Sequence, residues 1–181
     1  MHLISRQFLS LVAVAFCSLA LTACLSSDKS LIEVDSRVLP FTPPITIEVY
    51  DRKNPSEPWQ KQKERATLVA DNQLVVRLKR DASEEAYVFY PLEPRRFLVE
   101  GRTKSNGRFI YGALEIRNGE GLLTHLNCES IDQAAFQKAG GVVTGVNFKE
   151  CELDKVSNPL AFLKSLAANP SGSQQRYVPV R

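Results

Sequence analysis

The sequence predicts an α+β fold that is mainly β: a curved antiparallel sheet or small open barrel with two short C-terminal helices. Three observations carry this. Apolar and polar residues alternate from Ile45 onward, Asn118-Gly119 sits between two such runs, and only two segments have helix-type punctuation. The 181 residues suit one ordinary domain, and 44% hydrophobic with 24% charged residues excludes a chain disordered throughout. The formal charge of +3 gives no compositional case for nucleic-acid binding.

Each element has its own signal. Ile45, Ile47 and Val49 alternate with Thr46, Glu48 and Tyr50, as in a half-buried strand. Residues 51–58 read as a polar loop with two prolines. Residues 66–70 and 74–78 flank Asp71-Asn72-Gln73 as a short hairpin. Residues 86–90 form an aromatic-rich strand closed by Pro91 and Pro94. Residues 97–99 follow, then a turn over 103–107. The clearest hairpin joins 109–116 to 122–128, because Asn-Gly accepts the positive φ that primed turns require. A first helix starts at Ser130 with Gln133 in capping-box spacing and stops at Gly140-Gly141; residues 142–148 return as a strand. A second helix begins at Asn158-Pro159, carries the stripe Leu160, Leu163, Leu166 and Ala167, and stops at Asn169-Pro170.

The first 24 residues have a different character. Arg6 precedes an apolar run over residues 8–21, the layout of a secretory signal and too short for a comfortable membrane span. The run ends in Leu21-Thr22-Ala23-Cys24, which resembles the lipobox of bacterial lipoproteins. The resemblance implies cleavage before Cys24 and acylation of that thiol, with two or more chains giving stable anchoring. Leu25-Ser26-Ser27-Asp28 lacks Asp directly after the cysteine, which in enteric-type bacteria resembles an outer-membrane sorting signal. The expected organisation is a signal peptide over 1–23, a tether and incoming strand over 24–44, one β-rich domain over 45–170, and a flexible tail over 171–181.

An exported chain meets an oxidising compartment, so the two cysteines remaining after Cys24, Cys128 and Cys151, are expected to form a disulfide. A 23-residue separation gives closure worth about 3–3.5 kcal/mol in the chain-entropy treatment. A metal site using His125, Cys128 and Cys151 lacks a fourth ligand, and side chains three apart on a strand face opposite ways. No metal or other cofactor is expected.

The catalytic motifs are absent from the sequence: no nucleophile elbow, Gly-rich phosphate loop or metalloprotease helix. Glu93 with Glu100, or Glu150 with Glu152, are carboxylates near in sequence, which by itself creates no acid–base pair. His125 reads as a structural histidine. Arg95, Arg96, Arg102, Lys104 and Arg108 make the central third locally basic and offer a patch for an anionic partner. Tyr87, Phe89, Tyr90, Phe97, Phe109 and Tyr111 read as core, or as the lining of a small apolar pocket if they share one face. Trp59 either packs on the sheet or meets a partner.

The mature part also loosely resembles proteobacterial envelope lipoproteins of unknown activity, on Cys128, Cys151 and the Leu160–Leu166 stretch. The expectation is a non-enzymatic binding or scaffold module, anchored by its N-terminal lipid and meeting an envelope protein partner. The alternative is a carrier of a small apolar ligand or lipid in the periplasm.

Overall fold

The computed structural model describes residues 25–80, 83–104, 106–145 and 150–180. Strands alternate inward apolar and outward polar side chains, and that period-2 pattern rolls the chain into a barrel. In chain order the strands are β1 (Leu25–Ser27), β2 (Ile45–Arg52), β3 (Gln60–Ala70), β4 (Val76–Arg80), β5 (Ser83–Glu93), β6 (Arg96–Arg102), β7 (Phe109–Arg117) and β8 (Glu120–His125). Helix α1 (Gln133–Lys138), β9 (Val142–Thr144), β10 (Glu150–Glu152) and α2 (Pro159–Ala168) follow, and β11 (Gln174–Pro179) ends the series. Every barrel strand from β2 to β8 pairs antiparallel with the next; β11 fills the gap between β8 and β2. The expected curved sheet is therefore a closed eight-stranded barrel. The small strands β1, β10 and β9 branch from the start of β7.

Two cores follow from the two faces of the wall. Inside, Ile47, Val49, Leu68, Val76, Leu78, Phe89, Val99, Leu114 and Leu123 fill the lumen. Outside β5–β7, Val88, Leu98, Tyr111 and Ala113 are covered by Leu25, Phe136, Leu153, Leu163 and Ala167. The aromatic residues divide accordingly: Tyr87, Phe89 and Phe97 join the inner core, while Tyr90, Phe109 and Tyr111 join the outer one. An apolar lumen inside a largely polar wall is the reverse of an outer-membrane barrel.

The turn chemistry is local. Asn118 (φ 53°) and Gly119 (φ 81°) make the two-residue connection between β7 and β8. Asp71 Oδ1 accepts from the backbone N–H of Gln73 and Val75 and holds the β3–β4 turn. Asn158 caps α2 by accepting from Ala161 N–H, with Pro159 at the first helical position. The cap of α1 is Asp132, which accepts from Ala134 and Ala135 N–H; the expected start at Ser130 falls in a separate 3-10 turn.

Several expectations are corrected. Within the span 171–181 expected as a flexible tail, Gln174–Pro179 forms β11, six residues long and paired on both sides. The tether over 24–44 is docked from Leu25 onward, which is fully buried. The strand expected over 66–70 starts earlier, with Gln60 to Arg65 forming the first half of β3. Pro91 lies within β5 beside a register shift between Pro91 and Glu93, where a missing N–H costs little. The two short helices fall in the C-terminal part of the chain as expected, in the excursion between β8 and β11.

Candidate functional site

Cys24 and residues 1–23, the expected signal peptide, lie outside the described residues. The chain that follows is gripped by one buried carboxylate. Glu100, 3% exposed on the outer face of β6, accepts from Ser30 Oγ at 2.6 Å and Leu31 N–H at 2.7 Å. Ile32 N–H is a longer donor at 3.4 Å. Ser26 and Ser27 pair with Ile110 and Phe109, and Ser27 Oγ donates to Asp154 at 2.9 Å. Beyond the grip the segment reaches one barrel end, where Val38 N–H donates to Phe89 O and Phe41 packs edge-on against Phe89. Burial and the neighbouring Glu100 push the Tyr111 phenol well above its ordinary range. Sequence reading gave Glu100 only as a carboxylate near Glu93; its position between Val99 and Gly101 on a central strand was the available signal.

The predicted basic residues do not share one face. Arg95 and Arg96 stand at the start of β6 and Arg102 at its end, about 20 Å apart at strand rise. Arg96 donates to the carbonyls of Ala167 and Ala168 and caps α2. Arg102 donates to Gly107 O and lies over Phe109, while Lys104 is exposed in the turn. Arg108 is 15% exposed and surrounded by Asp28, Glu150, Glu152 and Asp154 at 2.9 to 3.9 Å. Its charge is consumed in pinning β1, β7 and β10 together.

Cys128 and Cys151 form the disulfide, both fully buried in the outer core with Cα atoms 5.3 Å apart. The bond ties the end of the β8 segment to β10. It also removes both thiolates from any metal set with His125, which faces the other way, into the lumen.

The lumen has a polar end that sequence reading missed. At the end carrying the β2–β3 and β6–β7 turns, alternation turns Asp51, Arg80, Glu85, Tyr87, His125 and Gln175 inward. Arg80 Nη1 donates to Glu85 Oε1 at 2.9 Å, Tyr87 Oη to Glu85 Oε2 at 2.5 Å, and Tyr177 Oη to Gln175 Oε1 at 2.7 Å. Gln62 donates to Asp51 Oδ2. Burial lowers the His125 pKa, opposed by the charge of Asp51, and raises the phenols of Tyr87 and Tyr177. Trp59 lies outside, under the guanidinium of Arg52 at 4.2 Å.

Two spaces bear on ligand binding. The lumen retains about 20 Å³, bounded by residues including Phe41, Leu78, Phe89 and Tyr177. A cleft of about 200 Å³ lies between the barrel wall and the chain after α2, lined by Leu92, Arg96, Thr124, Ala167, Pro170 and Gln174 among others. Among the described residues no group of three His, Cys, Asp or Glu side chains could hold a metal ion, and no helix is long and apolar enough to cross a membrane. Comparison with family models, with curated proteins and with solved structures found no match.

Proposed function

We propose that the protein is a lipid-anchored binding or scaffold module of the cell envelope, acylated at Cys24. In this reading it is non-enzymatic, faces the periplasm from the outer membrane, and contacts a protein partner through its surface. The lipobox supports the anchor. The filled lumen is the observation that carries the binding mode: about 20 Å³ has room for roughly one water, far from the several hundred cubic ångströms of a typical ligand pocket. The buried start at Leu25 supports a body held close to its lipid, with no spacer to let it roam.

The carrier reading keeps one supporting feature, the cleft of about 200 Å³ beside α2. Crosslinking in intact cells, followed by recovery of the full-length protein and native mass spectrometry, separates the two. The module reading expects a reproducible envelope-protein partner and no stoichiometric small molecule. One lipid or other apolar molecule per chain, without a protein partner, would replace it with the carrier reading.

A further inference from the structure

The barrel wall opposite β7 carries an organised charge pattern that the proposed anchor leaves unused. In the closed ring β2-β3-β4-β5-β6-β7-β8-β11, β3 stands four strands from β7 in either direction. β7 is where Ser26 and Ser27 dock, so β3 lies across the barrel from the chain that follows Cys24. Ala66, Leu68, Val76 and Leu78 of β3 and β4 are buried inward, and alternation therefore sends Arg65, Arg77 and Lys79 outward.

Two carboxylates on this wall are each shared by two cations. Glu48 lies 2.7 Å from Lys61 and 3.5 Å from Arg65; Glu84 lies 3.0 Å from Arg77 and 3.8 Å from Lys79. Arg77 also reaches Asp71 at 3.5 Å. Lys63, exposed where β3 bulges against β2, pairs with none of the described carboxylates. Lys61, Arg65 and Lys79 keep 50% or more of their side chains in solvent. Counting the exposed Glu64 of β3, five cations (Lys61, Lys63, Arg65, Arg77 and Lys79) stand among four carboxylates (Glu48, Glu64, Asp71 and Glu84), so positive charge exceeds negative on this wall.

We propose that the outer face of β2–β4 docks an acidic protein surface, presented from the side of the body away from its own membrane. The inference rests on the anchor at Cys24 for its orientation. Charge complementarity identifies the occupant: partner carboxylates would complete the half-neutralised pairs and meet Lys63, which pairs with none of the described carboxylates. Glu48 and Glu84, spaced among the cations, disfavour a bilayer of uniform phosphate charge, and the face points away from the anchoring membrane.

The test uses the full chain with poly-L-glutamate as an acidic polypeptide probe and vesicles containing anionic phospholipid as the competing one. The variant K61Q/K63Q/R65Q/K79Q alters exposed side chains alone, and its denaturation midpoint verifies folding. Four exposed charge contacts, each worth a few tenths of a kcal/mol, predict roughly tenfold weaker poly-L-glutamate binding at 0.1 M salt, with R102Q/K104Q binding like the parent. Equal loss in both variants, or a variant that binds as the parent does, would overturn the proposal. Vesicle binding that exceeds poly-L-glutamate binding and is lost in the fourfold variant would reassign the face to membrane. Fractionating Cys24→Ser cells in parallel reads the anchor independently, so failure of the face and failure of the anchor give different results.

Discussion

Replacing Glu100 by Gln isolates the grip on the N-terminal segment. The parent carboxylate receives Ser30 Oγ at 2.6 Å, Leu31 N–H at 2.7 Å and Ile32 N–H at 3.4 Å, all at a site only 3% exposed. An amide retains one acceptor oxygen and turns an N–H₂ donor toward donors on the other side, so at least one charge-assisted bond is lost. Such bonds contribute about 1.5–3 kcal/mol each, and a buried N–H left without a partner adds its own cost. The expected loss is therefore about 2–4 kcal/mol in the opening of residues 30–32, equivalent to roughly 30- to 1000-fold faster amide exchange at Leu31. Hydrogen exchange followed at Leu31 and Ile32, with Leu78 in the lumen as a reference, measures this directly. Exchange at Leu31 unchanged within threefold would refute the assignment of Glu100 as the clamp.

Three further outcomes follow from the same structure. Replacing Cys128 and Cys151 by Ala should lower the denaturation free energy by about 3 kcal/mol, and reducing the parent protein should reproduce that loss; insensitivity to both would contradict the staple. Because His125 is held below its ordinary value of 6.5, the unfolded chain binds more protons as pH falls through that value. Stability should therefore be flat above about pH 7 and decline below 6.5 by up to about 1.4 kcal/mol per unit; H125Q should flatten this slope in urea titrations, and an unchanged slope would count against it. Deleting residues 174–181 removes the strand between β8 and β2, so the shortened chain should fail to give a cooperative melt, whereas a loose tail would be dispensable.

The parts legible in the sequence are those with local causes. Asn118-Gly119 needs positive φ, Asn158-Pro159 starts a helix by capping, and Cys128 pairs with Cys151. What escaped depends on closure. Strand β11 reads as a tail because Gln174, Gln175 and Arg176 are polar on both faces, one set looking into the polar end of the lumen and the other to partners on the wall. The first half of β3 escaped for the same reason, since Gln62 turns inward to Asp51 while Lys61 and Arg65 face water. Interior polar residues contributed by six different strands leave no spacing pattern along the chain. The basic residues of the central third were visible as charge, but strand geometry separates Arg95 from Arg102 and encloses Arg108 in carboxylates. The β2–β4 wall is basic because alternation selects Arg65, Arg77 and Lys79 for one face, which a linear count does not register.

The anchor at Cys24 is the central claim, and intact mass analysis of the membrane-extracted protein tests it most directly. The account predicts a chain that begins at Cys24 with acyl mass on that residue, and a Cys24→Ser chain released from membranes. An unmodified Cys24, or a membrane-bound chain that still carries residues 1–23, would contradict it.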